Sequence, residues 1–507
     1  MINTKDEEKS RTQNAVLNVF IGYLSQLGIV ILSFIGRKIF LNYLSAEYLG
    51  INGLFSNILT VLSFAELGLD TALVYSLYQP VAEKKYDLVI SLLDYFKKIY
   101  WTLAAIIFSI GIAIIPLFKY IVHSELPLRE LIIYYVLILV NTVLSYFVAH
   151  KVAYISACQK QRLHKAITLM TNLVMQILHI IVLVIWRNYY FYLCATIVST
   201  LVGIVVLNYV CDALIPKVGN DIEPVPFGKK IIISRITSTF LYKIGAVLVA
   251  NTDNILISAV VSTVAVGLYS NYYTVISSVQ SFLAILATAL VSGIGNFAIK
   301  KGKKSQYELF NVFLLLYHFI ATTGFIGFSL VMNDFIALWL GKQYLFDNKV
   351  VLIIAFNFYL TNIQNPVYIF REANGLFQQT KYIMLVRAFI NLIMSYVLGI
   401  KYGIFGIFLA TAISLLLTSF WFEPMLLFKR IMQGQIINYI KRLMKYSILT
   451  LISFFICDVA IKIFGSDILG FICKVVCISI VNILVFVIFN IKTEEFKKMK
   501  SYFSRGK

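Results

Sequence analysis

The sequence predicts an all-α polytopic membrane protein. About 14 transmembrane helices are expected, as two six-helix bundles related by a pseudo-two-fold plus two extra C-terminal helices. Three observations predict it. Of 507 residues, 60% are hydrophobic and only 13% charged, against about 25% charged in a soluble globular chain. Apolar runs recur at the roughly 20 residues that cross a hydrocarbon core, and the alternating segments of an outer-membrane barrel are absent. The chain also resembles itself at a fixed offset, as set out below.

The spans, in order, are read at about 15–36, 48–69, 99–118, 130–149, 168–186, 190–211, 237–260, 266–291, 309–332, 350–370, 382–400, 403–426, 444–463 and 468–490. The first is too long for a signal-peptide core. It lacks a small-residue cleavage site and runs into a second span, so it is expected to be retained. Connections are short. The longest contains "PKVGNDIEPVPFGKK", a Pro/Gly loop. The expected organisation is an N-terminal bundle over 1–215, a cytoplasmic loop over 216–236, a C-terminal bundle over 237–430, and two additional helices with a basic tail over 431–507.

The net charge of +20 is explained by where the charges sit. With both termini cytoplasmic, and cations near span ends counted with the adjoining segment, the inside segments carry 33 Lys and Arg and the outside segments 10, Lys243 being counted with neither. That bias orients the chain and favours anionic lipid headgroups; it argues against a nucleic-acid partner. The six cysteines are scattered. Cys473 and Cys477 lie four apart with no second pair of ligands, so neither a metal site nor a disulfide framework is expected.

The repeat appears twice. "LSAEYLGINGLFSNILTVL" from Leu44 matches "VSTVAVGLYSNYYTVISSV" from Val261, pairing Gly50 with Gly267, Ser45 with Ser262 and Ser56 with Tyr273. "NYYFYLCATIVS" from Asn188 matches "GIFGIFLATAIS" from Gly403, pairing Ala195 with Ala410. The offset spans six helices, an even number. The halves therefore insert in the same sense, related by an axis along the membrane normal.

Polar residues form stripes. In the second span Asn52, Ser56, Thr60, Ser63, Glu66 and Asp70 are spaced 4, 4, 3, 3 and 4, one face of a helix. The first span offers Tyr23, Gln26, Ser33 and Arg37; the eighth offers Ser270, Thr274, Ser277 and Ser281. In the seventh, Arg235, Thr239, Lys243, Asn251, Asp253, Asn254 and Ser258 fall on one half of the helix. The hydroxyls alone are equally explained by interhelical hydrogen bonding. Lys243 could reach the cytoplasmic interface, and Arg37 with Lys38 could anchor at an interface. Asp253 lies too deep for that, and an intramembrane carboxylate marks a wet cavity; for Arg37, Asp70 and Asp253 a cavity is expected, because burying charge merely to hold helices together is costly. No G-x-x-x-x-G-K phosphate loop, H-E-x-x-H motif or long outer loop with paired carboxylates is present. Neither an ATPase engine nor an enzyme is expected, and no cofactor.

The run "GRKIFLNYLSAEYLGINGLFSNI", the "TDNILISAVVSTVAVGLYS" of the seventh span and "YGIFGIFLATAIS" resemble the polysaccharide-transport branch of the multidrug/oligosaccharidyl-lipid/polysaccharide exporter superfamily. The likeness is greatest to flippases for O-antigen or capsule repeat units, and covers about the first 430 residues. It implies two bundles opening alternately to either side of a bacterial plasma membrane, with spans 1, 2, 7 and 8 lining the cavity. The implied substrate is an undecaprenyl-pyrophosphate-linked oligosaccharide, with membrane lipids, a polysaccharide polymerase and other assembly proteins as partners. Arg37, Arg235 and Lys243 are the expected pyrophosphate contacts, and Gln26, Asn52, Ser56, Asn251, Asn254, Tyr273 and the neighbouring Tyr269 and Tyr272 the expected sugar contacts. Glu66, Asp70 and Asp253 are the expected ion-coupling or charge-balancing acids. A cation-coupled drug or metabolite antiporter of the same superfamily is the alternative.

Overall fold

The structure is a computed structural model. It describes the backbone of residues 4–66, 69–214, 229–300, 303–432 and 436–504; side chains at 4–22, 65, 70–72, 161–162, 229–241, 286, 288–300, 377–378 and 502–504 lie outside the description. Every described regular element is helical. Eleven segments are long and apolar enough to cross a membrane. One of them, Ile383–Arg430, holds two expected spans. The two expected spans missing from the eleven are the second, which breaks, and the eighth, part of which lies outside the described residues. The chain is a multi-pass membrane protein.

It divides into two compact units: residues 1–270 with 277–285, and residues 271–276 with 286–507. The first unit holds α1 (Thr4–Tyr43), α2 (Ala46–Leu62), α3 (Leu69–Ala82), α4 (Tyr86–Ile114), α5 (Phe118–Ile121), α6 (Leu128–Tyr146), α7 (Ala149–Ala157), α8 (Gln161–Ile185), α9 (Tyr189–Leu214), α10 (Lys229–Val260) and part of α11 (Thr263–Lys300). The second span is not one helix. α2 ends at Leu62 and passes into a 3₁₀ turn, Ser63–Glu66, before α3. Ser63 donates its hydroxyl to Leu59 O at 2.8 Å, a back-bond that competes with the helical ladder where the turn begins.

Aromatic packing holds this unit together. Phe55, Phe118 and Tyr135 form a buried trio with centroids 4.8–5.2 Å apart, and the Tyr135 hydroxyl donates to Gly111 O at 3.1 Å. Tyr189 packs against Phe40, Tyr48 and Tyr134. The outward faces are apolar, with Met170, Ile185, Val205 and Tyr209 all exposed. In a bilayer those faces meet lipid, and helices satisfy every backbone group internally.

The second unit continues with α12 (Lys303–Trp339), α13 (Asn348–Ala373), α14 (Phe377–Thr380), α15 (Ile383–Leu417), α16 (Ser419–Arg430), α17 (Ile436–Ala460), α18 (Ile468–Asn490) and α19 (Glu494–Ser504). α12 and α13 are its most buried spans, 67% of each apolar window being enclosed. α15 is continuous only in outline. Gly403, at φ 59° and ψ −141°, breaks it into two limbs. A side chain there would be strained, so glycine makes the tight reversal between spans 11 and 12. The last two spans dock on α12 through polar ties. Lys474 pairs with Asp334 at 2.7 Å, and Thr322 meets Thr450 at 2.7 Å. Arg442 reaches Tyr307, Asn311 and Glu495.

Candidate functional site

The polar stripe of the second span lines a cavity of about 470 Å³ in the first unit. One wall is Asn52, Ser56, Thr60, Ser63 and Glu66; the facing walls are Asn141, Thr142 and Ser145 of α6, His179 of α8, and Tyr192 and Thr196 of α9. The volume is that of an ordinary small-ligand site.

The hydrogen bonds set what the walls can offer. Thr60 donates to Ser56 O, Ser63 to Leu59 O, Thr142 to Ile138 O and Ser145 to Thr142 O. Their hydroxyl protons are used on their own helices, which leaves oxygen lone pairs as acceptors. The amides do the reverse. Asn141 Oδ1 accepts from Thr200 at 2.7 Å and Asn52 Oδ1 accepts from Tyr189 at 3.3 Å, leaving both NH₂ groups as donors. His179 stacks on Tyr192 with centroids 3.7 Å apart. Thr196 gives its proton to Tyr192 O, so the His179 Nε2–H donates to Thr196 Oγ1, at 2.8 Å. Such a wall of mixed donors and acceptors suits a polyhydroxylated ligand. Among the described residues no Lys or Arg lines it, and Glu66 is the one carboxylate that does.

The expected residues distribute as follows. Asn52, Ser56 and Glu66 line the cavity. Arg37, on α1, donates to Ser270 Oγ at 2.8 Å and lies within electrostatic reach of the cavity residue Tyr192. Gln26 is half-buried, 11 residues before Arg37 on the same helix, and is not among the cavity-lining residues. On α10, Asn251 spends its amide on Val247 O at 2.8 Å. Asn254 approaches α2 at Gly53, with its Oδ1 buried and unbonded among the described residues. Lys243 and Asp253 are half-buried. Tyr273 is 52% exposed, whereas Tyr272 is fully buried and holds Asn333 and the Phe346 N–H within the second unit. The side chains of Arg235 and Asp70 lie outside the described residues. Asn141, His179, Tyr192 and Thr196 escaped the sequence reading. The spacing rule could have found them: span 5 carries Thr168, Asn172, Gln176 and His179 at steps of four, four and three, span 6 carries Tyr192, Thr196 and Thr200 at steps of four, and Asn141 and Ser145 of span 4 are four apart.

One end of this unit is tightly closed. Gly50 and Gly267, equivalent in the repeat, meet. A Cβ at Gly50 would overlap Thr263 O and lie 3.1 Å from Gly267 N; a Cβ at Gly267 would overlap Ala46 O and lie 3.1 Å from Gly50 N. Ala46 and Thr263 are themselves 217 residues apart, so one contact is made twice about a local two-fold. Small residues are what let membrane helices touch backbone to backbone. The 122–127 loop clasps the crossing. Thr263 N donates to His123 O at 3.0 Å and Ser258 Oγ to Ile121 O at 2.9 Å. Ser124 Oγ and Glu125 N both donate to Glu47, at 2.6 and 2.8 Å.

Comparison with known proteins follows this geometry. A family model for "polysaccharide biosynthesis protein" matches residues 15–292. Among curated protein sequences none matches. The fold is similar to the lipid II flippase MurJ in an inward closed conformation, at 17% identity and a TM-score of 0.67, over 93% of this chain and 98% of that one. It is also similar to an inward-facing multidrug resistance MATE family transporter of the MOP superfamily, at 12% identity and a TM-score of 0.61, over 79% and 97%. A MOP superfamily transporter from Pyrococcus furiosus aligns at 12% identity and a TM-score of 0.56, over 81% and 95%.

Arg37→Ala, which loses the bond to Ser270, and Asp253→Ala, which loses a half-buried intramembrane charge, are each expected to lower activity at least about tenfold while the protein stays inserted and abundant, a charged-group interaction being worth about 1.5–3 kcal/mol. Normal activity in both variants, with membrane levels checked by immunoblot, would remove these two residues from the site.

Proposed function

The chain belongs to the polysaccharide biosynthesis protein family, and from that premise we propose that it is a flippase for undecaprenyl-pyrophosphate-linked oligosaccharide repeat units. It moves them from the inner to the outer leaflet by alternating access, for capsule or another surface polysaccharide. The observation that carries this reading is the wall of the cavity. Hydroxyl oxygens and Glu66 accept, Asn52 and Asn141 donate, and the Tyr192–His179 pair offers aromatic surface. A sugar presents hydroxyls that both donate and accept, together with apolar ring faces. A diphosphate needs cations and donors in place of its water; Arg37 of α1 is one candidate, with Arg235 and Lys243 of α10 as the others. Glu66, Asp70 and Asp253 remain the candidate coupling or balancing acids.

In the orientation that the Lys and Arg distribution favours, both termini are cytoplasmic. The Gly50–Gly267 crossing then lies on the outer side, and we propose it as the outer seal that parts during alternating access. The six-plus-six division of the spans with two added C-terminal helices belongs to this same proposal, as do a polymerase and other assembly proteins as partners. A second reading, a cation-coupled drug or metabolite antiporter, draws on the Glu66 carboxylate in the cavity and on the likeness to MATE transporters.

Depletion of the protein in its host, followed by mass analysis of undecaprenyl-linked glycans, tests the choice. A complete repeat unit accumulating on the inner leaflet, with surface polymer lost, is the expected result and names the cargo. An unchanged lipid-linked pool with intact polymer would favour the antiporter, read next by drug sensitivity.

A further inference from the structure

α12, α17 and α19 meet around a cleft of about 340 Å³ in the second unit, and the transport reading leaves it without a role. α12 begins there, α17 contributes its second turn and α19 its first. α12 and α17 are membrane-crossing, and α19 follows the last span, α18, after residues 491–493. The cleft therefore lies at the level of the lipid headgroups. In the orientation that the Lys and Arg distribution favours, that is the cytoplasmic leaflet. Two ion pairs hold its wall. Arg442 of α17 meets Glu495 of α19 at 2.6 Å and donates to Tyr307 and Asn311 of α12, each at 2.9 Å. Lys498 of α19 meets Glu308 of α12 at 3.0 Å. Three charged residues of the wall take part in neither pair. Lys303 and Lys304 of α12 and Glu494 of α19 are exposed, with no salt bridge among the described residues.

These three charges specify what the cleft can take. A bare anion would gain two ammoniums but meet a carboxylate. An organic cation would gain the carboxylate but meet two ammoniums. A ligand with one phosphate and one ammonium satisfies all three, and charge-assisted hydrogen bonds are the strong ones. Basic pockets between membrane helices on the cytoplasmic side are where phospholipid headgroups settle, and the volume is that of a small-ligand site. We propose that the cleft binds the headgroup of an amine-bearing phospholipid, its phosphate at Lys303 and Lys304 and its ammonium at Glu494. Such a lipid is a resident of the surrounding leaflet, and the proposal is independent of the cargo assigned above.

The test uses the purified full-length protein, stripped of lipid in detergent. It is titrated with phosphatidylethanolamine, phosphatidylglycerol and phosphatidylcholine of identical acyl chains, and bound lipid is read by native mass spectrometry. Phosphatidylethanolamine is expected to bind saturably and about tenfold more tightly than the other two. Phosphatidylglycerol has no ammonium, and the quaternary ammonium of phosphatidylcholine donates no hydrogen bond. The double variant K303Q/K304Q is expected to lose about tenfold or more in affinity for phosphatidylethanolamine. Glu494→Gln should erase its preference over phosphatidylglycerol. All three side chains are exposed, so these variants should fold with an unchanged thermal midpoint. The control K429Q/R430Q, also exposed but outside the cleft, should bind as the wild type does. Equal wild-type affinity for the three lipids overturns the proposal. So does undiminished affinity in K303Q/K304Q, an equal loss in the control, or an undiminished preference in E494Q. Inorganic phosphate should not displace the lipid; displacement would overturn the headgroup in favour of a soluble phosphate.

Discussion

Replacing Gly50 by leucine is expected to hold the protein open at the end where α2 and α11 cross. A Cβ at position 50 would overlap the backbone oxygen of Thr263, and a backbone atom cannot turn aside as a flexible side chain can. The two helices must separate, which costs the shut state about 2–3 kcal/mol, by analogy with overpacked cores. That is a shift of roughly 30- to 150-fold in the balance between shut and open states. Gly267→Leu should do the same, because its Cβ would meet Ala46 O in the mirror of the same contact. The check is a cysteine at Asn52, on the cavity wall, probed from outside the cell with an impermeant maleimide against a background in which the native cysteines are replaced. Slow labelling with Gly50 and fast labelling with leucine, together with lost transport, is the expected pattern. Equal labelling and normal transport would make the crossing a packing detail.

The second large effect belongs to Glu423. Its loss in Glu423→Ala strands the Arg371 guanidinium in a closed site, and breaking a buried pair costs about 3–5 kcal/mol. The expected readout is a steep loss of folded protein on solubilisation and a midpoint lowered by many degrees. R371L/E423L is expected to recover more than half of that loss, since removing both partners spares the stranded charge that either single change leaves. A single variant as stable as the wild type would mean that water reaches the pair.

The membrane-spanning class and most of the spans were legible from the amino acids alone, because an apolar run of span length is a one-dimensional property. The stripe from Asn52 to Glu66 was legible for the same reason: residues three and four apart share a face of whichever helix holds them. So was the pairing of Gly50 with Gly267, which the repeat announced before the structure put the two backbones in contact. What the sequence could not say is what stands opposite. Asn141, His179 and Tyr192 lie on polar faces of three different spans, and only packing brings those faces to one cavity. The break of α2 at Ser63 depends on a local contest of hydrogen bonds that periodicity does not register. Arg371 and Glu423 drew no expectation from their spacing; their buried pairing at 2.9 Å arises from α13 and α16 meeting. Span, stripe and repeat follow from the order of residues along the chain. Cavity, crossing and charge cluster follow from distances between helices, which only the tertiary structure decides.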